Sequence, residues 1–197
     1  MNKKAQLQVL GIILIVILAL VVLVVLWAIG SYNSLVKKDV AVEKSWGNVQ
    51  TAYQRRVDLI PNLVETVKGV VKFEQDTQTQ IAALRSGIST ASTPSELTAA
   101  GEQVNGFIRG ININVEAYPD LKSSQNFLSL QDELAGTENR IKWERDNYNE
   151  AVQSYKTSVR SFPTNILAGM FGFNLDKWDM FQAEEGAQNA PTVDFTS

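Results

Sequence analysis

Charged and amide side chains of the kinds found in active sites are concentrated in two parts of the sequence. The first is the segment 55–62 (RRVDLIPN) followed by Lys68 and Glu74, and the second contains Glu138, Arg140, Arg145 and Asn149. Paired carboxylates can serve as general acid and general base, but here Arg and Lys balance them, and no nucleophile, metal-ligand set or phosphate-binding loop accompanies them. We favour a structural role, because charges removed from water persist when they are paired. The residues expected in such ion pairs between helices are Arg56, Asp58, Glu74, Glu138 and Arg145.

The residue composition excludes several classes of site. The 197 residues include no Cys and no His, so disulfides, Cys/His zinc sites, Cys nucleophiles and His general bases are excluded. With 21 acidic against 18 basic residues, the chain lacks the positive charge typical of nucleic-acid-binding proteins. We predict a protein without catalytic residues, metal or cofactor, which does not bind nucleic acid and is not an enzyme.

An apolar run from Val9 to Gly30 precedes these charged stretches and contains no charged side chain. At a helical rise of about 1.5 Å per residue it extends roughly 33 Å, enough to cross a bilayer core of about 30 Å. The run predicts a transmembrane anchor. The residues assigned to this anchor include Val9, Leu10, Ile12, Leu14, Leu18, Val22, Leu26 and Trp27.

A cleaved signal peptide is the alternative interpretation of the same run. Lys3 and Lys4 supply a positive start, and residues 28–30 (AIG) offer small side chains for cleavage. The run is longer than the roughly 7–15 apolar residues of a signal peptide and continues into a helical pattern, which favours an uncleaved anchor. Lysines on the two sides of the run nearly balance. We expect a single pass through the cell membrane, with the domain outside the cytoplasm.

Apolar residues at helical spacing predict four helices after the anchor. The first runs from Ser31 to Val57, and the second runs to Ile88 from a start that we expect Asp58 to cap. Pro61 either kinks one long helix or marks a reverse turn between two helices. We prefer the turn.

A polar linker at 89–95 precedes the third helix, which we expect Thr93 or Ser95 to cap and Pro119 to end. The fourth runs from Phe127 to Phe162, and its apolar spacing averages about 3.5 residues, the repeat of coiled-coil packing. Four amphipathic helices with short connections predict an all-α fold, an antiparallel up-down four-helix bundle with long helices. An open helical array that assembles with partners is the alternative. The predicted divisions are 1–30 for the tail and anchor, 31–162 for the bundle and 163–197 for the remainder.

The segment after Pro163 concentrates large apolar side chains ahead of an acidic tail at 182–197. It either folds back over one end of the bundle or contacts a membrane surface or another protein, since Trp, Phe and Met are enriched at such interfaces. We prefer the first interpretation. The residues that would make the interfacial or partner contact are Ile166, Met170, Phe171, Trp178 and Phe181.

Several ordered motifs resemble those of the LemA family. They are YNSLV at 32–36, SW at 45–46, QRRVDLIPNLV at 54–64, TVKG at 66–69, YPDLK at 118–122, TENRI at 137–141, FGF at 171–173 and PTVDF at 191–195. Ser45 is a departure, because family members usually carry Ala there. The resemblance implies a single membrane segment, a helical-bundle domain and no accepted enzymatic activity, and some family members are linked to magnetosome membrane formation.

These observations predict a non-enzymatic helical scaffold anchored in the membrane. Its expected partners are the lipid bilayer and either other envelope proteins or further copies of the chain. The second hypothesis is membrane remodelling by oligomers through the apolar C-terminal segment, and the third is an envelope enzyme.

Overall fold

The computed structural model describes residues 3–68 and 76–182, with side chains from Leu10 onward. Every regular element in these ranges is helical, which confirms the predicted all-α class. The helices are α1 (Lys3–Asp58), α2 (Ile60–Val67), α3 (Thr77–Thr90), α4 (Pro94–Val115), α5 (Pro119–Lys122), α6 (Gln125–Arg160) and α7 (Thr164–Met170), followed by a 3₁₀ turn at Leu175–Lys177.

Helix α1 changes character along its length. From Leu10 to Ile29 its large apolar side chains are exposed, and among the described helices α1 is the one long and apolar enough to cross a membrane. The side chain of Val9, predicted to belong to the anchor, lies outside the described part of the chain. A buried stripe then begins at Leu35 and continues through Val42 and Val49 to Arg56. These intervals of seven residues are typical of helices packed along their length.

The junction at Pro61 is not the reverse turn that we predicted. α1 ends at Asp58 and α2 begins at Ile60, so Leu59 alone separates them, and it keeps right-handed helical backbone angles (φ −80°, ψ −19°). Proline has no N–H to donate to the carbonyl of Val57, and its ring crowds that carbonyl. The helix is therefore interrupted for one residue, without the extended residues of a loop.

The described residues belong to two compact units. The first contains the chain up to Lys44 together with 151–178, and the second contains 45–150 together with the segment from Asp179. Each unit has buried apolar residues of its own. The divisions predicted at 30/31 and 162/163 stay a prediction.

In the first unit, α7 ends in a glycine cap. Gly172 has a φ of +78°, which glycine adopts without strain, and the N–H of Phe173 donates to the carbonyl of Ala168 at 2.9 Å. The turn lets Phe171 and Phe173 contact the ring of Tyr32 on α1, at centroid distances of 4.9 and 5.9 Å. The buried residues of this unit include Leu35, Val42, Val152, Tyr155, Val159, Leu167 and Ala168.

In the second unit, α4 begins with a reciprocal cap. Oγ1 of Thr93 accepts a hydrogen bond from the N–H of Glu96 at 3.2 Å, and Oε2 of Glu96 accepts one from the N–H of Thr93 at 3.3 Å. Pro94 follows in the first turn, where its missing N–H costs nothing. Of the two predicted caps, Thr93 is confirmed. Because α3 extends to Thr90, the non-helical linker is shorter than the predicted 89–95.

The later helices lie close to their predicted bounds. α4 ends at Val115, and α6 begins and ends two residues earlier than the predicted helix 127–162. The short α5 was not predicted, because Pro119 starts this helical turn as well as following the end of α4.

Replacing Thr93 with Ala should lower the free energy of unfolding by about 1 kcal/mol, because the N–H of Glu96 loses its acceptor at the start of α4. Urea unfolding followed by circular dichroism measures this change. Ser95→Ala is the matched control, since Ser95 is exposed in the same turn. Equal losses in the two variants would show that the Thr93 cap does not stabilise the helix.

Candidate functional site

A polar groove of about 670 Å³ in the second unit gathers several of the residues singled out by their chemistry. Arg56 of α1 and Glu138 and Arg145 of α6 line this groove, and all three belong to the predicted ion-pair set. Its other polar lining comes from Tyr53, Glu102, Asn105, Asn139, Lys142, Asp146, Asn149 and Gln182.

Arg56 is a buried charge with a weak partner. It is 7% exposed, because it follows Val49 at the seven-residue interval of the buried stripe. Nη1 and Nη2 each lie 3.4 Å from Oε2 of Glu138, whose side chain is 69% exposed. Charge-assisted hydrogen bonds of full strength are shorter, at about 2.7–2.9 Å, and no described residue accepts a hydrogen bond from the buried Nε. The structure thus brings the two residues together in a long, partly hydrated contact.

Tyr53 forms one wall of the groove. Burial raises the pKa of its hydroxyl, and the charge and hydrogen bond of Arg145 partly offset that effect. The ring lies so close to Gly101 of α4 that a methyl group at this glycine would collide with Cε1. The groove therefore presents a neutral phenol at neutral pH, held where only glycine leaves room for it.

The segment 179–182 docks on α6 through its main chain. The side chain of Asn149 pairs with Phe181 twice, since Nδ2 donates to the carbonyl at 3.0 Å and Oδ1 accepts from the N–H at 2.8 Å. Tyr148 donates its O–H to the carbonyl of Asp179 at 2.9 Å. Two neighbouring side chains of α6 thereby fix the path of the segment at the edge of the groove.

Phe181 is buried, which corrects its predicted role as an interfacial or partner contact. Its ring centroid lies 6.0 Å from that of Trp46 and 5.4 Å from that of Tyr148, and the guanidinium of Arg145 lies 4.8 Å from it. Arg145 also donates to the carbonyl of Gln182 at 3.3 Å. A large ring loses its contact with water in this cluster, and the guanidinium of Arg145 covers it.

A second groove of this unit, about 550 Å³, contains a buried carboxylate that the sequence analysis missed. The side chain of Glu144 is 3% exposed, and Oε1 accepts from Nη2 of Arg140, one turn earlier on α6, at 2.6 Å. Its Oε2 is buried without a hydrogen-bond donor among the described residues. Glu144 follows Ile141 and precedes Tyr148 on the buried face of α6. Its spacing of three residues from Ile141 and four from Tyr148 is the sequence signal that places this carboxylate on the buried face.

Asp58, another member of the predicted ion-pair set, lies outside the first groove. Asp58 does not cap α2, because it still belongs to α1 and Leu59 occupies the cap position without a side-chain hydrogen bond. Its Oδ1 instead accepts from Nε2 of Gln54 and from Nε of Arg85, both at 3.2 Å. Glu74 lies outside the described residues.

In the first unit, Asp39 of α1 holds the segment that follows α7. Its carboxylate accepts from Nζ of Lys177 at 2.6 Å and from Nε1 of Trp178 at 2.8 Å. Trp178 is half-buried, and this hydrogen bond holds its indole against α1. The residues of the predicted contact that are exposed are Ile166, Met170 and Phe171.

The arrangement of these groups favours structural contacts over proton transfer. Arg56 and Glu144 are each paired with one residue of opposite charge, in separate grooves. Within residues 3–68 and 76–182, acidic side chains do not gather in threes that could bind a metal ion. Burial raises the pKa of Tyr53 and of Tyr148, so both phenols are neutral at neutral pH.

Comparison with known proteins gives similarities over most of the chain. The model of the LemA family matches residues 45–195. Protein LemA of Metamycoplasma hominis is 28% identical over 163 residues, which cover 80% of this chain and 71% of that protein. Magnetosome proteins MamQ 1 and MamQ 2 of Paramagnetospirillum magneticum are each 32% identical over 79 residues. Those matches cover 40% of this chain and 28% of each magnetosome protein.

Glu138→Gln should lower the free energy of unfolding by about 1–2 kcal/mol, because it leaves the buried guanidinium of Arg56 without an anion. Arg56→Met should cost less, since the methionine keeps the packing of the stem and the exposed Glu138 is hydrated. Urea unfolding measures both. Glu133→Gln is the control, with an expected change below about 0.5 kcal/mol, because Glu133 lies 3.9 Å from the exposed Arg55. If Glu138→Gln changed the free energy of unfolding as little as this control, the result would contradict a stabilising pair between Arg56 and Glu138.

Tyr148 should make stability fall at high pH. Burial, with the charge of Asp179, raises its pKa in the folded chain to about 12 from an ordinary 10.0. The folded chain keeps this proton where the unfolded chain loses it, so the stabilisation is complete below about pH 10 and is lost as the pH rises towards about 12. In urea unfolding over this range, Tyr148→Phe should show a shallower fall than the wild type. Identical slopes would exclude Tyr148 as a source of the pH dependence.

Proposed function

We propose that this chain, which belongs to the LemA family, is a single-pass membrane protein whose helical domain acts as a non-enzymatic scaffold. In this proposal the domain is an antiparallel up-down four-helix bundle outside the cytoplasm, and it binds envelope proteins or further copies of the chain. The change of surface along α1 is the observation that carries the proposal.

Helix α1 supports the predicted membrane anchor, because one part of this continuous helix is apolar and exposed while the next part is packed in the protein. The side chains of its most apolar stretch are exposed, whereas those of the stripe that starts at Leu35 are buried. Exposed apolar surface costs about 25 cal/mol per Å² in water, a cost that lipid removes. A helix also satisfies its own backbone polar groups, as the bilayer core demands. Because α1 continues past Gly30 to Asp58, a cleaved signal peptide is the weaker interpretation.

Contacts inside the second unit support an antiparallel pairing of α1 and α6. Trp46 contacts Tyr148, with ring centroids 5.5 Å apart, and Arg56, further along α1, contacts Glu138, nearer the start of α6. Residue numbers therefore rise along one helix as they fall along the other. Such neighbours are expected in an up-down bundle.

The use of the polar side chains supports a scaffold over an enzyme. Tyr148 and Asn149 hold the main chain of the segment 179–182, and Asp39 holds Lys177 and Trp178. Hydrogen-bonding groups that would otherwise be available to a substrate thus fix the chain to itself. The sequence also has neither Cys nor His, the residues that most often act as nucleophile and general base at neutral pH.

Membrane remodelling is the second candidate, and the exposed apolar side chains at Ile166, Met170 and Phe171 favour it. Two similar proteins are magnetosome proteins. Electron cryomicroscopy of vesicles that contain the full chain separates the two candidates. A scaffold leaves the vesicles spherical as the protein-to-lipid ratio rises, whereas a remodelling protein produces tubules or small, highly curved vesicles.

Two charges in the middle of the apolar run should release the chain from the membrane. Each arginine of the double variant Leu18→Arg/Val22→Arg costs about 2.5–3.5 kcal/mol at the centre of a transmembrane helix. Alkaline carbonate extraction of membranes from a bacterial host should leave the wild type in the pellet and shift the variant to the supernatant.

Val40→Arg is the matched control, because Val40 is exposed on α1 beyond the apolar run, and this variant should stay in the pellet. The intact mass of the extracted wild type reports cleavage near Gly30. A shortened wild-type chain in the supernatant would contradict the anchor and support a signal peptide. Proximity labelling from the anchored full chain then tests the scaffold, which predicts enrichment of envelope proteins or of other copies.

A further inference from the structure

Helix α7 has two apolar sides, of which protein packs one. Leu167 and Ala168 are buried in the first unit. Apolar side chains on its other side and at its two ends are exposed. Met170 is 73% exposed, and Phe162, two residues before the helix begins, is 80% exposed. The side chains that form this outer face, which we call the α7 outer face, are Phe162, Ile166, Met170 and Phe171.

The α7 outer face lies beside the end of the apolar run of α1. The ring of Phe171 packs against Tyr32, with centroids 4.9 Å apart. Tyr32 is the second residue after Gly30, about 3 Å further along the helix axis. At its other end, Thr164 of α7 lines a groove of about 360 Å³ together with Trp27 and Gly30. Both ends of α7 are therefore level with the last turns of the apolar run.

The charge pattern around α7 suits the boundary between lipid and water. Residues 161–175 contain no charged side chain, and Arg160 and Asp176 flank them. Trp27 and Tyr32, on α1 at the same level, are residue types enriched where a transmembrane helix passes the headgroups. A helix that lies at that boundary buries its apolar face among the acyl chains while its polar neighbours stay hydrated.

We propose that α7 is an interfacial helix, which lies in the headgroup layer of the bilayer that α1 crosses and buries the α7 outer face in lipid. This inference rests on the proposed function, because it takes the apolar run as the membrane span. The headgroup layer extends about 5–7 Å beyond the hydrocarbon core, and Tyr32 places α7 within that distance. Lipid is favoured over a protein partner because the face is continuous with the run that lipid surrounds. A second attachment of this kind fixes the rotation of α1 about its axis.

The absence of Cys from the sequence allows a direct test in the full chain. Ile166→Cys and Met170→Cys are made singly, labelled with a nitroxide, and reconstituted in phosphatidylcholine/phosphatidylglycerol vesicles. Electron paramagnetic resonance power saturation then compares accessibility to oxygen, which concentrates in lipid, with accessibility to a nickel chelate, which stays in water. Val22→Cys inside the apolar run and Val40→Cys beyond it, exposed on the same helix, calibrate the depth.

We expect the labels at Ile166 and Met170 to report depths between those of the two calibration sites, with oxygen accessibility above that at Val40 and nickel accessibility below it. Adding Ile166→Ser should shift the Met170 label towards the Val40 value, because one of the apolar side chains of the α7 outer face is removed. The Ile166→Cys label in an otherwise unchanged chain keeps the test valid if this double variant folds poorly.

Each other outcome is distinct. Labels at Ile166 and Met170 that match Val40, while Val22 reports lipid, would overturn the interfacial helix and leave the proposed function intact. Water-like values at Val22 would overturn the proposed function itself. Low accessibility to both reagents at Ile166 and Met170 would show that protein covers the face and would overturn the inference, with spin–spin broadening identifying a second copy of the chain as the cover.

Discussion

The continuity of α1 past Gly30 is the constraint on which the other features depend. A helix satisfies its own N–H and C=O groups, so α1 passes from a wholly apolar segment to a packed one without any partner for its backbone. Because the helix does not break there, the packed part cannot rotate independently of the apolar part. Intervals of three and four residues place Tyr32, Leu35, Asp39 and Val42 on one face of the packed part. That face receives the rings that follow α7 and the hydrogen bonds of the segment beyond them.

Arg56 and Glu144 are two buried charged residues of the second unit. Arg56 and Glu144 occupy positions on the buried faces of α1 and α6 where an apolar side chain packs at lower cost. Each has one buried polar atom without a partner among the described residues, so neither is an efficient source of stability. A slide of α1 along α6 by one turn carries Arg56 away from Glu138. We interpret the buried charges as features that select one register from several that the apolar stripes alone would tolerate.

Features that depend on neighbouring residues, such as helix bounds, were predicted from the sequence. Features that depend on the direction of the chain or on contacts between distant residues were not. The bounds of α4 and α6 were predicted closely, because apolar spacing, caps and flanking prolines are read from neighbouring residues. Pro61 was misinterpreted because a proline interrupts a helix in the same way whether the chain bends or reverses. Composition did not reveal that Phe181 faces inward while Ile166 faces outward. Glu144 was missed because the stripe was traced through apolar residues, and Asp39 because its partners lie 138 and 139 residues away.

The pairing of Asn149 with Phe181 has a consequence for how the chain can vary. An asparagine side chain presents the same donor and acceptor as a peptide group, so Asn149 pairs with the main chain of Phe181 much as a residue of a neighbouring strand would. Tyr148 likewise donates its hydrogen bond to a main-chain carbonyl, that of Asp179. The side chains that bind this segment therefore belong to α6. The segment itself contributes its main chain and the buried ring of Phe181. We therefore expect the segment to tolerate substitutions at Asp179 and Gln182, whose carbonyls make the contacts, better than α6 tolerates them at Tyr148 and Asn149.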